Sequence, residues 1–256
     1  MDFKKYKQYI NDFIEGVNSL DAQANKIGSF TYGLKEIDLY ATGLGEGKRK
    51  ILITAGVHGE EQAGPIGLLM FLRQDLKKYL SEFTFTIIPV VNPLGFEKKR
   101  RRGSNNRDLN RHFHIQSFPE NKIIINFLKH KTFDHHIDMH EDSGEKTVYM
   151  YETGNGYDND SILMKSYQFL DWVKTQGVEV NTKERIYGVP NCGGVIHLGS
   201  NIRKNSKLRK MGALVPVLIF NGISLRGTTL ETPGKIDFDT RVGIQREHLN
   251  FWLARN

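Results

Sequence analysis

Cysteine is almost absent from this sequence, which has Cys192 alone among its 256 residues. A single cysteine excludes an internal disulfide and any metal site built from several thiolates. Long apolar runs are absent too, since no stretch approaches the roughly 18 residues that a membrane span needs. The first residues lead into no apolar segment typical of a secretion signal. We therefore expect a cytoplasmic protein that does not associate with a membrane.

Three enzyme motifs are also missing. No Gly-x-Ser-x-Gly elbow is present, so a serine hydrolase is unsupported. The glycines of Gly43–Lys48 suggest a phosphate loop, but Arg49 follows where Ser or Thr is required, and the glycines precede a strand. We interpret them as a hairpin turn. The HExxH zinc helix is absent as well, because Gly144 stands where a second histidine would have to follow His140.

The charge balance is moderately basic. Lysine and arginine number 36 against 29 acidic residues, a net charge of +7, which suits nucleic acid, an anionic surface or a carboxylate-rich small substrate. The sequence is 39% hydrophobic and 25% charged, as globular proteins are. With no repeat, low-complexity tract or obvious linker, we predict one domain over residues 1–256.

Short apolar segments alternate with segments of helical periodicity. Predicted helices begin near Pro65, Ser117, Asp160 and Asp239. This alternation favours an α/β domain with a mixed, largely parallel twisted sheet flanked by helices. Ligands of such folds bind beyond the carboxyl ends of the strands. The predicted strands are Ile51–Thr54, Phe83–Val91, His136–Met139, Val148–Tyr151 and Thr228–Leu230.

Candidate metal ligands follow two of these strands. His58-x-x-Glu61 comes after the first buried strand, and His140 comes after the strand at 136–139. Two histidines and one glutamate, with a fourth position left open, form a ligand set typical of catalytic zinc. Of His135 and His136, we expect one ring to face the core, and we do not expect metal binding at either. The pattern predicts one Zn²⁺ per chain.

Two further groups suit hydrolysis next to a carboxylate. Glu231 ends the last apolar strand, where a carboxylate near a zinc site can act as general base and then pass the proton on. Asn110 and Arg111 lie in a tight loop and offer an amide and a planar guanidinium, which suit capture of a substrate carboxylate. Together these residues predict hydrolysis of an amide bond beside a free carboxylate.

The motifs, taken in order, resemble the zinc carboxypeptidase superfamily. That group contains the carboxypeptidase A-like enzymes, bacterial murein-peptide amidases and the succinylglutamate desuccinylase/aspartoacylase branch. The resemblance covers roughly residues 50 to 235 and implies a phosphorylase/hydrolase-like fold. The matching motifs are His58-x-x-Glu61, Asn92-Pro93-x-Gly95, Asp108-Leu109-Asn110-Arg111, Asp138-Met139-His140 and Leu230-Glu231-Thr232-Pro233.

The resemblance carries roles onto matching positions. It assigns zinc binding to His58, Glu61 and His140, and general acid/base catalysis to Glu231. By the same resemblance, Asn110 and Arg111 hold the substrate carboxylate.

The resemblance also suggests roles for an arginine and a tyrosine. Arg101 has the position of the arginine that polarises the scissile carbonyl, although its neighbours Arg100 and Arg102 are alternatives. Tyr187 is the candidate for the mobile tyrosine of the digestive members.

We therefore predict a zinc metallocarboxypeptidase that acts on short peptides, such as murein peptides. One alternative is an N-acyl amino acid deacylase of the desuccinylase/aspartoacylase type. Against it stands Thr232-Pro233 after the catalytic glutamate, where resembling deacylases commonly have a glycine-containing stretch. In either case the expected partner is a small peptide or acyl-amino-acid substrate with a free carboxylate. The loops 141–160 and 182–200 are expected to set the substrate preference.

A second alternative is a non-enzymatic nucleic-acid or anion-binding protein that uses the cationic run Lys98–Arg102. No recognition-helix or aromatic RNA-binding signature accompanies this run. We therefore expect no nucleic-acid partner.

Overall fold

The computed structural model describes residues 5–154, 160–199 and 210–254. Within them the chain forms ten strands and seven α-helices, with short 3-10 turns at Leu76–Tyr79 and Leu109–Arg111. The strands are β1 (Ala24–Tyr32), β2 (Lys35–Leu44), β3 (Arg49–Ala55), β4 (Phe83–Ile88), β5 (His135–Asp142), β6 (Tyr149–Gly154), β7 (Arg185–Ile186), β8 (Val189–Pro190), β9 (Val195–Leu198) and β10 (Arg226–Pro233). The helices are α1 (Tyr6–Asn18), α2 (Ala63–Gln74), α3 (Pro93–Lys98), α4 (Pro119–Leu128), α5 (Asp160–Thr175), α6 (Leu214–Phe220) and α7 (Phe238–Leu253).

Eight of the strands form one sheet in the order β1-β2-β4-β3-β5-β10-β6-β9. The four central strands, β4, β3, β5 and β10, run parallel. At one side β2 and β1 are added antiparallel, and at the other β6 pairs antiparallel with β10 and parallel with β9. The predicted α/β class with a mixed, largely parallel sheet flanked by helices is therefore confirmed. β7 and β8 form a separate two-stranded ribbon.

The central strands are buried on both faces, because helices cover each side of the sheet. On β3, Ile51 and Ile53 pack in the cluster that contains α1, α2 and α7, whereas Leu52 packs in the cluster that contains α4 and α6. Side chains alternate between faces along a strand. On β5, Ile137 and Met139 face the side of the sheet that α2 covers. The even-numbered residues of β5 therefore project from the other face of the sheet. Among the described residues, no helix is both long and apolar enough to cross a membrane.

The hairpin predicted at the Gly43–Lys48 glycines is wrong. This segment joins β2 to β3, but β4 lies between those two strands in the sheet. The connection crosses the start of β4, and a Cβ atom at Gly47 would overlap the backbone of Glu82. Glycine is therefore required there for close backbone approach.

Several element ends also differ from the prediction. The final helix is capped by Asp237, whose side chain accepts a 2.9 Å hydrogen bond from the Thr240 amide, so the predicted Asp239 cap is wrong. The second predicted strand ends at Ile88, three residues early. The described part of the chain also contains elements that the sequence pattern did not reveal, namely α1, β1, β2, α3, β7, β8, β9 and α6.

Candidate metal centre

His58, Glu61 and His140 come together at one end of the central strands. All three are buried, and one potential ligand atom from each lies within 4.8 Å of the others. Elsewhere in the described ranges, no second group of three His, Cys, Asp or Glu residues meets this condition. His58 and Glu61 lie in the segment between β3 and α2, and His140 lies within β5, the neighbouring parallel strand. The sequence prediction placed His140 just after that strand.

Both histidines point the same ring nitrogen at the glutamate. Nδ1 of His58 is 2.5 Å from Glu61 Oε1, and Nδ1 of His140 is 2.8 Å from Glu61 Oε2. The opposite nitrogens, Nε2, bond to two further carboxylates: Asp108 at 3.1 Å from His58, and Asp138 at 3.0 Å from His140. Carboxylates in these outer positions fix ring orientation and hold the proton on Nε2 in metal-binding histidines.

The donor set fits a divalent cation such as zinc. When each Nε2 donates its proton to a carboxylate, each Nδ1 presents a lone pair toward the Glu61 carboxylate, which offers only lone pairs itself. Such a buried group of acceptors needs protons or a cation between its members. Two imidazole nitrogens and a carboxylate are the ligands found in catalytic zinc sites.

Charges within this group are strongly coupled. Burial alone would raise the pKa of Glu61, but the charges and hydrogen bonds of His58 and His140 lower it well below its usual range. For His140, burial would lower the pKa, but Asp138 and Glu61 raise it well above the ordinary histidine value. The cluster therefore favours positive charge between its acceptors, which is consistent with a cation site.

Asn92 ties together the loops that carry the site. Its buried side chain accepts a 2.8 Å hydrogen bond from the Gly95 amide and so caps α3. Its amide group donates to the carbonyl of Val57, at 3.3 Å, and to that of Arg101, at 3.2 Å. A Cβ atom at Gly59 would overlap the Gly95 backbone, so the His58 loop and α3 are in backbone contact.

Arg101 reaches the centre, whereas its neighbours do not. Its Nε donates to Asp108 Oδ2 at 3.0 Å, and its Nη1 lies 3.4 Å from Glu61 Oε1. The Arg100 side chain instead bonds to backbone carbonyls of its own loop, and Arg102 bonds to the carbonyl of Asn106. Within the described part of the chain, Arg101 is thus the one of the three arginines that bonds to the candidate metal-binding cluster and to its supporting carboxylate.

Glu120 anchors the basic loop that carries Arg101. The buried carboxylate accepts hydrogen bonds from the Ser104 amide at 2.7 Å and from the Ser104 hydroxyl at 2.8 Å. Glu120 lies in the first turn of α4, where the helix dipole favours a carboxylate. The loop that carries Arg101 is therefore fixed at several points.

Glu231 lies beside His140 in the sheet. The two residues are register partners on the parallel strands β10 and β5, so their side chains project from the same face. Burial raises the pKa of Glu231 to about 8, although the charge of His140 acts to lower it. Glu231 therefore stands next to the cluster with a carboxyl group whose proton is held near neutral pH.

Asn110 and Arg111 follow Asp108 in a 3-10 turn that the Asp108 side chain caps through the Asn110 amide, at 2.9 Å. The Asn110 side-chain oxygen accepts from the amide of Leu214, at the start of α6, at 2.8 Å. Arg111 is exposed, and its charge is one of those that lower the pKa of Asp108 against the opposing effect of burial. The turn therefore places an exposed guanidinium close to the carboxylate that holds His58.

Tyr187 lies at the turn of the β7–β8 ribbon. Its side chain is 74% exposed, and its backbone has a left-handed φ of 48°. The hydroxyl donates a 2.7 Å hydrogen bond to Asp142 Oδ2, which also accepts from Tyr149 at 2.7 Å. Asp142 lies two residues beyond His140 on the same strand face, so Tyr187 stands at the rim of the site.

Asp108 and Asp138 belong to two of the sequence motifs, but the sequence alone assigned no role to either carboxylate. Both support a candidate ligand, and the position of Asp138 two residues before His140, on the same strand face, is the signal that could have shown it. Gln245 on α7 was missed altogether. Its amide donates to the His140 carbonyl at 2.7 Å, a contact between residues 105 positions apart that local patterns do not reveal.

His135 and His136 are both buried, and neither belongs to the metal cluster. Since they are neighbours on a strand, they point to opposite faces of the sheet. One ring was expected to face the core, and the structure buries both.

The catalytic-domain profile of the succinylglutamate desuccinylase/aspartoacylase family matches residues 47–186, more than half of the chain. The matched range contains His58, Glu61 and His140 but ends before Glu231. No curated protein sequence matches the chain.

Solved structures share the fold. A candidate metallopeptidase from Shewanella denitrificans is 24% identical, with a TM-score of 0.79 over 96% of this chain and 88% of its own. A metallo-carboxypeptidase from Burkholderia cenocepacia is 14% identical, with a TM-score of 0.66 over 94% of this chain and 67% of its own. A succinylglutamate desuccinylase/aspartoacylase from Rhodobacter sphaeroides is 16% identical, with a TM-score of 0.56 over 90% of this chain and 62% of its own. At these identities the likeness concerns the fold.

Proposed function

Because the chain belongs to the succinylglutamate desuccinylase/aspartoacylase family, we propose that it is a zinc-dependent hydrolase that cleaves an amide bond next to a free carboxylate. Membership confirms the resemblance to the zinc carboxypeptidase superfamily drawn from the motifs. The observation that carries the proposal is the buried cluster of His58, Glu61 and His140, with Glu231 as the strand neighbour of His140. Ligands and a proton acceptor for hydrolysis thus occur at one place.

In this proposal His58, Glu61 and His140 hold one zinc ion through two Nδ1 atoms and a carboxylate. A bound zinc ion supplies Lewis acidity, which polarises an amide carbonyl and lowers the pKa of a neighbouring water. Glu231 accepts a proton from the attacking water on a carboxylate oxygen and delivers it to the leaving nitrogen. In the metal-free protein burial raises the pKa of Glu231, and a carboxyl group with a raised pKa is suited to act as the acid in the second of these transfers.

Arg101 is proposed to donate to the carbonyl oxygen as negative charge develops on it. Its Nη1 is already 3.4 Å from Glu61, and Asp108 holds its Nε at 3.0 Å. A guanidinium fixed in this way needs little reorganisation during the reaction, which is the condition for electrostatic stabilisation of a transition state.

Arg111 and Asn110 are proposed to bind the substrate carboxylate. The Arg111 guanidinium is exposed, and the turn that carries it is fixed by Asp108 and by the bond from Leu214 to Asn110. An exposed planar fork on a fixed backbone suits a two-point contact with a carboxylate.

Two substrate classes fit this arrangement. The first is a short peptide with a free C-terminus, such as a murein peptide, which makes the protein a metallocarboxypeptidase. The second is an N-acyl amino acid, a class favoured by the match to the desuccinylase/aspartoacylase catalytic domain. In both, one amide carbonyl lies near a carboxylate, so the same residues serve either reaction.

Initial rates on paired substrates test the proposal. The zinc-loaded protein is assayed with N-acetylated dipeptides, with their C-terminal amides, and with N-succinyl-glutamate and N-acetyl-aspartate. Loss of a charge-assisted contact costs about 1.5–3 kcal/mol, so kcat/KM should fall by about one to two powers of ten when the carboxylate is amidated. Activity on the acyl amino acids without activity on peptides would assign the deacylase class.

Two matched arginine variants sharpen the test. Arg111→Lys keeps the charge but removes the planar fork, and we expect it to lose much of the preference for free carboxylates. Arg107→Lys makes the same change at an exposed arginine of the same basic loop and should keep that preference. Equal cleavage of free and amidated substrates by the wild type would refute the carboxylate contact and leave a hydrolase of another substrate class.

A further inference from the structure

A buried chain of hydrogen bonds continues below His140, away from the metal cluster. Asp138 accepts from His140 Nε2 through Oδ2, and its other oxygen accepts from the Thr54 hydroxyl at 2.6 Å. The Thr54 oxygen lies 2.7 Å from Nε2 of His136. All four side chains are buried and project from the same sheet face, since Thr54 is the register partner of Asp138. The chain therefore links two adjacent parallel strands beneath the site.

The number of protons sets the direction of these bonds. A threonine hydroxyl has a single hydrogen, which it donates either to Asp138 or to His136. Donation to His136 would leave a hydroxyl lone pair 2.6 Å from the Asp138 carboxylate. It would also place the His136 hydrogen on Nδ1, which has no hydrogen-bond partner among the described residues. A buried N–H group without an acceptor is rarer and costlier than a buried lone pair.

The opposite direction satisfies every donor of the chain. His136 then carries its hydrogen on Nε2 and donates to Thr54, which donates to Asp138. With one oxygen held by Thr54, the Asp138 carboxylate keeps its other oxygen in place for the Nε2 hydrogen of His140. With Nε2 held by Asp138, His140 keeps Nδ1 directed at Glu61, so that a bound cation would take the place of the Nδ1 hydrogen.

We propose that Thr54 is a positioning residue for the metal centre, which fixes the Asp138 carboxylate and thereby the metal-binding orientation and proton position of His140, with His136 setting the direction of the chain. The inference rests on the proposed function, because it assigns His140 to a metal ion. No family motif quoted above contains Thr54 or His136.

The opposite face of the sheet offers a matched comparison. There His135 Nε2 lies 2.9 Å from the Thr228 hydroxyl, which donates to the buried carboxylate of Glu152 at 2.9 Å. The chemistry is the same as in the Thr54 chain, a histidine, a threonine and a carboxylate in sequence, all buried. Among the described residues, Thr228 bonds to His135 and Glu152, and Glu152 also accepts from Ser166 at 2.6 Å, so these bonds do not lead to a candidate ligand.

The first measurement uses the unmodified, metal-free protein. Two-bond ¹H–¹⁵N couplings of ¹⁵N-histidine report which ring nitrogen of His136 carries the hydrogen. We expect the neutral form with hydrogen on Nε2. Hydrogen on Nδ1 would overturn the proposal, because Thr54 would then have to donate to His136 instead of Asp138.

The second measurement is zinc affinity by competition with a chelating dye, which needs no substrate. Thr54→Val removes the hydroxyl at nearly constant shape and leaves one Asp138 oxygen without its donor. Loss of outer partners weakens metal binding about 10–100-fold, and because Thr54 acts through Asp138 we expect the lower end, about tenfold. Thr54→Ser keeps the hydroxyl and should bind zinc nearly as tightly as the wild type.

Thr228→Val is the control variant, because it also replaces a buried threonine between a histidine and a carboxylate with valine. It shows what this replacement does to the fold when the threonine does not support a candidate ligand. It should lower the melting temperature of the metal-free protein as Thr54→Val does, yet leave zinc affinity unchanged. Wild-type affinity in Thr54→Val, or an equal loss in Thr228→Val, would overturn the proposal. Should Thr54→Val fail to fold, the His136 hydrogen position in the wild type still decides. A wild type that binds no zinc would refute the proposed function, whereas the His136 result is obtained without metal.

Discussion

Replacing His248 should make the protein less sensitive to acid. This histidine lies on α7 and is fully buried, at 0% exposure. Neither ring nitrogen has a hydrogen-bond partner among the described residues, and the ring packs 4.9 Å from that of Phe169. Burial lowers the pKa of His248 to about 3 from the ordinary value of 6.5. A lowered pKa means that the folded state resists protonation that the unfolded chain accepts freely.

The sign and size of the effect follow from linkage. The contribution of neutral His248 to the free energy of unfolding is fully present above pH 6.5, the pKa of histidine in the unfolded chain. This contribution is lost as the pH falls toward about 3, the pKa of His248 in the folded state. Protonation of His248 stabilises the unfolded chain by about RT ln(1 + 10^1.5), or about 2 kcal/mol, at pH 5. At pH 7 the same stabilisation of the unfolded chain is about 0.2 kcal/mol. The difference depends little on the folded pKa as long as that value stays well below 5. His248 alone thus costs about 2 kcal/mol between pH 7 and pH 5.

The assay is urea unfolding of the metal-free protein at pH 7 and pH 5. His248→Leu, which is close in volume, should reduce the wild-type loss of unfolding free energy by about 2 kcal/mol. Packing changes in the variant appear at both pH values and cancel in this comparison. Burial also lowers the pKa values of His135 and His136, so part of the acid sensitivity should remain.

His130→Leu removes a histidine from the exposed end of the α4 region and serves as the control for histidine number. It should retain the wild-type difference between pH 7 and pH 5. An unchanged difference in His248→Leu would refute the reasoning, because it would mean that the buried ring is protonated as readily in the folded protein as in the unfolded chain.

Two further predictions concern the proposed centre. His140→Ala removes one of three ligands and should abolish stoichiometric zinc binding, measured by metal analysis after dialysis, while circular dichroism stays that of the folded protein; full zinc occupancy would contradict the ligand assignment. Glu231→Gln keeps the size and hydrogen bonding of the side chain but removes the base, so zinc should remain bound while kcat falls about 10²–10⁴-fold. Near-normal turnover would identify another residue as the base.

The candidate ligands could be predicted because their chemistry is tied to strand ends. His58, Glu61, His140 and Glu231 all follow or close short apolar segments, and parallel strands bring such positions to one edge of the sheet. Once the pattern predicts a parallel sheet, the positions of these residues at strand ends are enough to predict that they lie close together, although they are far apart in the chain. Strand ends were placed less well, because the buried apolar residues Val90 and Val91 continue past Ile88, where β4 ends. The Val91 amide still donates to the carbonyl of Ala55 on β3, at 3.0 Å.

The sequence pattern could not predict the roles of residues that are positioned by contacts between loops. The choice among the three arginines at 100–102 is made by Asn92, which bonds to the Arg101 carbonyl, and by Asp108, which bonds to its side chain. Neither contact has a periodic signature. The Gly43–Lys48 turn failed for a related reason, since glycine signals a close backbone approach without stating which strand is approached.

In the proposed function both reactions polarise an amide carbonyl and move the same protons, so the difference between peptide and acyl-amino-acid substrates does not lie in the candidate metal-binding cluster. It must depend on side chains that contact the rest of the substrate. At the rim, Tyr187 combines 74% exposure with a left-handed backbone and a hydrogen bond to Asp142. The buried ligands are instead each held by several partners. The site is therefore most firmly held where both reactions need the same chemistry, and we expect substrate class to follow the β7–β8 ribbon.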